Sequence, residues 1–240
     1  MRKLSILIRE EGCAMCGRFT LTADIADVMN TFSVDSKNYE YTPRYNIAPS
    51  QTISVITNYN GHRALEAYRW GLVPRWAKDI KIGFKMINAR AETLKTKPAF
   101  RNLLSRNRVV IPADGFYEWK KMGDEKQPYR FQLKGQRIYG FAGLYDEWTD
   151  PNGDKLRSCT IITTQPNELV QNVHDRMPVI LDNSSVNEWL DPDITKSEQV
   201  LRLLQPYPAD SMVSYPVSRA VGNVHNTDAS LIEEINLNSK

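Results

Sequence analysis

Two cysteines near the start of the chain are the first residues with obvious chemical potential. Cys13 and Cys16 lie in the stretch EEGCAMCGRFTL (residues 10–21) and have the spacing of a redox couple or of half a zinc site. A structural zinc site needs four nitrogen or sulfur ligands, usually supplied in pairs. The other candidate ligands are unpaired in sequence: Cys159, His62, His174 and His225. The spacing therefore predicts no metal site.

A redox couple of the thioredoxin type follows a strand and opens a helix. Here the second cysteine is followed by GRFTL, and the first helical pattern begins only near residue 22. The motif therefore does not favour a redox function.

Met15 separates the two cysteines and offers a third interpretation. If translation begins at Met15, the small side chain of Cys16 favours removal of the methionine. Cys16 would then carry a free α-amine and a thiol on the same residue. Residues 10–12, Glu-Glu-Gly, are what a purine-rich ribosome-binding site would encode if it were translated. We therefore hypothesise that residues 1–14 are a mis-assigned start or an added extension.

The overall composition is that of an ordinary globular protein, with 41% hydrophobic and 25% charged residues among 240. A net charge of +3 is too small to predict a nucleic-acid partner by itself. No apolar run approaches the ~20 residues of a membrane span, and LSILI in the leader is too short for a secretory signal. Three cysteines argue against a disulfide framework. We expect a cytoplasmic protein without a membrane partner.

The elements that must position the reactive residues are mostly strands. Apolar and β-branched runs predict strands at 52–58, 66–73, 108–119, 129–133, 137–148, 158–164 and 212–218. The predicted strands at 129–133 and 137–148 are joined by the turn KGQ. Strands following strands, without a parallel βαβ rhythm, are typical of an α+β fold. The prediction is a single domain with a largely antiparallel, barrel-like β core and flanking helices.

Helices are predicted at intervals between these strands. Apolar spacing places one at 22–32, with Thr22 as its N-cap. Residues 90–105 look partly helical, and a short helix is predicted at 166–172. Thr195 and Glu198 have capping-box spacing at the start of a helix over 195–205.

Eight ordered blocks make the chain recognisable. They are MCGRF (15–19), RYNIAPSQ (44–51), RWGLVPRWA (69–77), INARAET (87–93), IPADGFYEW (111–119), GFAGLYDEW (140–148), TIITTQPN (160–167) and VHDRMPVIL (173–181). In order and spacing they resemble the SOS-response-associated peptidase (SRAP) family, from residue 15 to about residue 220. The resemblance implies a leader at 1–14, an SRAP domain with the SRAP fold at 15–230 and a C-terminal tail at 231–240.

The resemblance implies a protein that attaches itself covalently to abasic sites in single-stranded DNA. The α-amine of an N-terminal Cys16 would form a Schiff base with the opened sugar, and the thiol would close a thiazolidine. Both groups titrate near neutrality, at about 7.7–8.0 and about 8.5. The family name further implies a peptidase that cleaves the bond before its own cysteine, and the resemblance also implies lyase-like activity. No cofactor is implied.

Three further residues match the family's catalytic positions. Asn88 would hydrogen-bond the opened sugar or the N-terminus, although an asparagine in a turn is an equally good interpretation of the residue alone. Glu118 lies among aromatic residues whose burial would raise its pKa for acid–base work, but it could also face outward from a strand. His174 matches the proton shuttle; a histidine beside Asp175 could otherwise be an ion-paired surface residue.

Arginines would supply the charge that holds a DNA strand. Arg18 and Arg90 resemble the family's phosphate contacts. Arg75 and Arg108 would extend the basic groove.

Aromatic and small residues would complete the DNA path. Trp70 and Trp119 are candidates for packing against bases, and a core position is the alternative for each. Pro49, Thr163 and Thr164 would line the path. Base stacking on such side chains contributes ~1–3 kcal/mol per base.

The interpretation is thus a DNA-damage protein, expected to be a monomer that associates with the bacterial nucleoid when bound to damage. Two alternatives stay open from the sequence. One is an N-terminal-nucleophile amidase or peptidase with another substrate, and the other is a non-catalytic module that binds single-stranded DNA.

Overall fold

The computed structural model describes residues 16–237 of the chain. The predicted leader (1–14), together with Met15, lies outside the described residues, as do residues 238–240 of the predicted tail. Within the described part, the strands are β1 (Phe19–Leu21), β2 (Ser36–Lys37), β3 (Arg44–Ile47), β4 (Thr52–Tyr59), β5 (His62–Trp70), β6 (Asn88–Arg90), β7 (Arg108–Ala113), β8 (Gly115–Met122), β9 (Glu125–Leu133), β10 (Tyr139–Thr149), β11 (Lys155–Thr164), β12 (Met177–Pro178), β13 (Ile180–Leu181) and β14 (Met212–Pro216).

Three α-helices flank these strands in the described residues: α1 (Ile25–Phe32), α2 (Asn183–Leu190) and α3 (Ser197–Leu201). Short 3-10 helices are Ile80–Lys85, Ala91–Thr93, Val170–Asn172, Ala209–Ser211, Arg219–Gly222 and Ala229–Ile232. In the described part of the chain no helix is long and apolar enough to cross a membrane.

Five strands close into a mixed barrel. Their order is β5, β4, β7, β10 and β11, and a parallel pairing of β11 with β5 completes the circle. The closing pair aligns Ser158 with Arg69 and Cys159 with Trp70; the other pairings around the circle are antiparallel. The short strands β2, β6, β12 and β13 extend this sheet at its margins. The prediction of a barrel-like, largely antiparallel α+β core is confirmed.

A second sheet, in the order β14, β9, β8, β1 and β3, packs against the barrel through aromatic side chains. The ring of Phe19 on β1 meets Trp70 edge-on at 5.3 Å and Phe141 at 5.8 Å between centroids. Phe116 on β8 stacks on Phe131 at 5.0 Å. Such pairs bury large apolar areas in favourable ring geometries. They fix β1 and β8, the two elements that lead to the reactive residues.

The predicted strand 108–119 is two strands, and Asp114 lies between them. Every residue of β7 is buried in the barrel, whereas β8 belongs to the second sheet. The carboxylate of Asp114 accepts hydrogen bonds from the hydroxyls of Thr20 and Thr22 and from the Arg130 guanidinium. These bonds hold the chain where it passes from one sheet to the other.

The predicted first helix begins three residues too early. Thr22 is not its N-cap, because the hydroxyl and amide of Thr22 both donate to Asp114. The helix instead begins at Ile25, with Asp24 at the N-cap position. A distant carboxylate thus competes successfully with the local capping interaction.

Two further helices are shorter in the structure than predicted, and one helix was not predicted. The capping box at Thr195 does not form, since Lys196 occupies the N-cap of the five-residue α3. The predicted helix 166–172 contains only the 3-10 turn Val170–Asn172. Helix α2 was not predicted, although Asp182 caps it by accepting from the Ser185 amide at 2.7 Å. The helix has only about two turns, and these carry too few apolar residues to give a periodic signal in the sequence.

Strand β5 ends at Trp70, three residues earlier than predicted, because Gly71 has φ 126°. A Cβ at Gly71 would lie 2.6 Å from the Gly83 carbonyl oxygen, so a side chain is excluded there. The KGQ turn also joins strands that do not pair: β9 belongs to the second sheet and β10 to the barrel. The predicted tail begins inside the 3-10 helix Ala229–Ile232, in which Leu231 is buried.

Candidate active site

Cys16 reaches the interior because the strand that follows it is fixed to β8. The pairing of Phe19 with Phe116 and the bond from the Tyr117 amide to the Arg18 carbonyl at 3.0 Å set the register. The Cys16 side chain is 7% exposed, and its Sγ lies 3.5 Å from the Arg176 carbonyl oxygen, to which it donates.

Glu118 lies on β8 beside Cys16 and is 1% exposed. Its Oε2 is 3.6 Å from Nε2 of His174, and its Oε1 has no hydrogen-bond partner among the described residues. Burial raises the pKa of Glu118 to about 8; the contact with Cys16 lowers it and the charge of Asp175 raises it further. The carboxyl group is therefore protonated at neutral pH, in agreement with the sequence-based expectation of a buried acid.

His174 follows the turn Val170–Asn172, and its amide donates to the Val170 carbonyl at 2.9 Å. Its Nδ1 lies 2.9 Å from the Arg176 carbonyl oxygen and 3.1 Å from the Arg176 amide nitrogen. The first contact needs a proton on Nδ1 and the second needs a lone pair. Both tautomers of the imidazole therefore have a backbone partner, which suits a group that passes protons through Nε2.

The Cys16 thiol is held in its neutral form. Burial raises its pKa well above the ordinary value, the charge of Glu118 raises it further, and the charge of Arg176 lowers it. The thiol sulfur, a Glu118 oxygen and a His174 nitrogen all lie within 4.8 Å of one another. A thiol in these surroundings reacts when a neighbouring base removes its proton.

Asn88 is placed on β6, which runs parallel to β11 with Asn88 opposite Ile161. Neither Oδ1 nor Nδ2 of its side chain has a hydrogen-bond partner among the described residues, although both atoms are buried. A buried amide without partners is unfavourable by about 1–3 kcal/mol. Such an amide marks a position where a ligand can supply the missing bonds.

Arg176 contributes to the site, although no sequence pattern singled it out. Its guanidinium donates to both carboxylate oxygens of Glu92 at 2.7 and 2.9 Å and to the Thr163 carbonyl at 2.8 Å. The ion pair lowers the pKa of Glu92. Arg176 lies in VHDRMPVIL and Glu92 in INARAET, so both charges were visible. Their pairing depends on the tertiary structure.

Arg18 and Trp119 form one unit next to the site. The Arg18 guanidinium donates to Asn46 Oδ1 at 2.9 Å and to the carbonyls of Val221 and Gly222 at 2.5 and 3.1 Å. It also lies over the half-buried ring of Trp119, 5.8 Å from the centroid. Arg18 thus anchors the loop around residue 222, and the predicted phosphate contact stays a prediction.

Trp70 does not fit the predicted role in base packing. Its ring is 1% exposed, packs on Phe19 and donates from Nε1 to the Ile87 carbonyl at 2.9 Å, so no base can reach it in this structure. Trp76, in the same sequence block, is 57% exposed. The end of the strand at Gly71 separates the two environments.

Other predicted DNA contacts surround β11. Arg90 is exposed at the end of β6, opposite Thr163 on β11, and Thr163 and Thr164 are buried. Pro49 is half-buried in the loop between β3 and β4. These positions stay predictions as far as DNA contact is concerned.

The two remaining arginines are engaged in ion pairs or backbone contacts. Arg75 is exposed and donates from Nε and Nη2 to a carboxylate oxygen of Asp146 at 3.1 and 2.9 Å. Arg108 is buried and donates to four backbone carbonyls, those of Leu104, Ser105, Trp189 and Asp191. Arg108 therefore joins β7 to the end of α2, and the expectation that it extends a basic groove is wrong.

Comparison with known proteins places this arrangement in a family. Residues 15–224 match the SOS response associated peptidase (SRAP) family. The chain is 51% identical over 222 residues to the abasic site processing protein YoqW of Bacillus subtilis, covering 91% of this chain and 99% of YoqW. It is 32% identical over 228 residues to the abasic site processing protein YedK of Escherichia coli, covering 92% and 100%.

Solved structures agree with these sequence relatives. The crystal structure of a protein from Bacteroides thetaiotaomicron superimposes with a TM-score of 0.84 at 26% identity, covering 92% of this chain and 100% of the other. The chain belongs to the SOS response associated peptidase (SRAP) family.

Proposed function

We propose that this protein processes abasic sites in DNA by forming a covalent bond to them through Cys16. The substrate is single-stranded DNA in which an abasic sugar opens to an aldehyde. The names of the relatives YoqW and YedK, abasic site processing proteins, support this class of substrate. The observation that carries the proposal is the buried group of Cys16, Glu118 and His174, whose reactive atoms lie within 4.8 Å of one another.

The reaction requires Cys16 to be the first residue, so that residues 1–15 are absent from the working protein. The α-amine attacks the aldehyde carbon, and a proton moves from nitrogen to oxygen to give a carbinolamine. Loss of the hydroxyl group as water leaves an imine. The thiol then adds across the C=N bond, with sulfur bonding to carbon and the proton going to nitrogen. One water is released and nothing is oxidised or reduced.

Each neighbouring residue serves one of these steps. Glu118 carries a proton at neutral pH because its pKa is about 8, so it can protonate the departing hydroxyl. His174, 3.6 Å from Glu118, relays the thiol proton. Asn88, whose buried amide lacks partners, hydrogen-bonds the hydroxyl groups of the opened sugar. The imine intermediate also gives the protein a lyase-like route, since it favours elimination of the adjacent phosphate.

The DNA strand is held by side chains around the site. Arg90 at the exposed end of β6 binds phosphate, and Trp119 packs on a base, as the sequence predicts. We add Trp76, because it is the exposed tryptophan of its block. Arg18, Arg75, Pro49, Thr163 and Thr164 complete the predicted path. The protein acts as a monomer at the bacterial nucleoid.

The same residues serve a peptidase step on the chain itself. The bond before Cys16 ends beside a thiol and two proton-transfer groups, the arrangement that N-terminal-nucleophile enzymes use to free their own amine. Autoproteolysis therefore exposes the amine that the DNA reaction needs. The cleavage requires no further protein substrate.

A denaturing gel tests the proposal. Protein beginning at Cys16 is incubated with a single-stranded oligonucleotide that contains one abasic site. We expect a slow-migrating covalent band that Cys16→Ala, Cys16→Ser and acetylation of the amine each abolish. Cys159→Ala, a buried cysteine outside the site, is the matched control and retains the band.

The result also separates the alternatives. An adduct that survives a blocked amine would exclude the thiazolidine route. Binding without a covalent band would leave a non-catalytic DNA-binding module, and release of a small acyl substrate without DNA attachment would favour the amidase.

A further inference from the structure

The group formed by Cys16, Glu118 and His174 has the composition of a transition-metal site. Thiolate, imidazole and carboxylate are the side chains that bind zinc in proteins. Among the described residues these three form the one group of candidate ligand atoms within mutual reach. Sequence spacing predicted no metal site because the ligands come from three separate segments, before β1, on β8 and after β11.

The distances suit tetrahedral coordination. Zinc bonds of about 2.0–2.3 Å place neighbouring tetrahedral ligands about 3.4–3.6 Å apart. His174 Nε2 and Glu118 Oε2 are 3.6 Å apart. The Cys16 sulfur lies within 4.8 Å of both, so it needs to move on the order of 1 Å, which rotation of a small side chain supplies.

The charges of the ligands and the backbone contact that orients His174 also fit a metal ion. A thiolate and a carboxylate together neutralise a divalent cation, so a buried ion would carry no net charge. Nε2 of His174 is the nitrogen that faces the group, and Nδ1 is held by the Arg176 backbone at 2.9 Å. A metal-bound histidine is usually oriented in this way by its other nitrogen. Oε1 of Glu118, which lacks a protein partner, is available as well.

We propose that Cys16, Glu118 and His174 bind Zn²⁺ or a similar thiophilic divalent cation, with the α-amine of Cys16 as the fourth ligand. The amine and thiolate of one cysteine close a five-membered chelate ring with the metal. The fourth ligand rests on the proposed function, because it requires the free N-terminus. A bound cation occupies both nucleophiles, so it suppresses DNA attachment reversibly and protects the cysteine from other electrophiles.

Cobalt is the probe for the site. Tag-free, reduced protein beginning at Cys16 is titrated with Co²⁺ and followed by absorption. We expect one equivalent to bind, with a thiolate-to-cobalt charge-transfer band in the near ultraviolet and the intense visible bands of a tetrahedral ion. One equivalent of Zn²⁺ should remove these bands.

Variants assign the ligands. Cys16→Ala should abolish the charge-transfer band, and Glu118→Gln and His174→Gln should each weaken Co²⁺ binding about tenfold or more. Protein that retains residues before Cys16 should also bind more weakly, because its amine is an amide. Cys159→Ala and His225→Ala are the controls and should bind as the parent does. Absence of the charge-transfer band, or its persistence in Cys16→Ala, would overturn the proposal.

The gel assay keeps this inference separate from the proposed function. Stoichiometric Zn²⁺ should suppress the covalent DNA band, and a chelator should restore it. A DNA band in protein that fails to bind Co²⁺ would refute the metal site alone. Co²⁺ binding without any DNA band would support the metal site and refute the proposed function.

Discussion

Two buried acids lie four residues apart where the chain passes from the barrel to the second sheet, and their surroundings differ. Asp114 accepts hydrogen bonds from Thr20, from Thr22 and from the guanidinium of Arg130. Glu118 keeps one oxygen without a protein partner, and its pKa is raised to about 8. A buried charge that is fully paired is costly to unpair, whereas incomplete pairing at Glu118 leaves a group ready for proton transfer.

The largest expected effect on stability comes from removing Asp114, the fully paired acid. Asp114→Ala should lower the free energy of unfolding by about 3–5 kcal/mol, because the buried Arg130 loses its anionic partner. Urea denaturation at pH 7 measures the loss. Glu125→Ala, which removes an exposed ion pair with Arg219, should leave the midpoint unchanged. A loss below about 1 kcal/mol in Asp114→Ala would mean that the pairing contributes little.

The unpaired acid should behave in the opposite way. Glu118→Gln should slow formation of the DNA adduct about 10²-fold while leaving the unfolding free energy at pH 8 unchanged or higher. A gel time course at saturating DNA measures the rate. If the variant instead loses mainly its non-covalent affinity for DNA, the assignment of Glu118 as an acid is wrong.

The pH dependence of stability sharpens the same comparison. Because the pKa of Glu118 is raised to about 8 in the folded protein, the native state binds more protons than the unfolded state between pH ~4.5 and 8. Stability should therefore fall as pH rises through this window, by about 1–3 kcal/mol between pH 5 and 8. Urea denaturation at several pH values between 5 and 8 measures the free energy of unfolding and tests this prediction. Glu118→Gln should show a smaller fall, and an equal fall in both proteins would assign the dependence to other groups.

The smallest effect concerns Asn88. Asn88→Ala removes a buried amide that has no protein partner, so the unfolding free energy should not fall and should rise by about 1 kcal/mol, the low end of what the unpaired amide costs. DNA attachment should nevertheless slow about tenfold. Thr20→Val is the matched change in the paired network and should cost about 1 kcal/mol, since it removes a donor to Asp114. Equal losses of stability would contradict the distinction between the two regions.

The strands could be predicted because runs of alternating and β-branched residues in the sequence form strands in the folded protein. Strands β4, β10 and β11 lie close to their predicted positions. The helices were harder, because tertiary contacts decide where they begin: Thr22 is bound to Asp114, and Lys196 takes the N-cap of α3. Local capping signals carry no information about such distant partners.

In the site, too, local sequence motifs predicted some features, whereas tertiary contacts decided others. Ordered motifs pointed to Cys16, Glu118 and His174, and the structure brings these three together. Sequence could not show which of Trp70 and Trp76 is exposed, because the choice depends on where the strand leaves the sheet. It also could not show that Arg108 is buried or that Arg176 pairs with Glu92. Those facts require knowing which segments become neighbours.

The parallel pair that closes the barrel has a consequence for folding. Trp70 and Cys159 are adjacent in space but far apart along the chain, so β5 must wait for β11 while the intervening strands form. Contacts between such distant segments make folding slow. The same strand β11 receives β6 and hence Asn88. Closure of the barrel and placement of Asn88 therefore depend on the same strand, so displacement of β11 should disturb both at once.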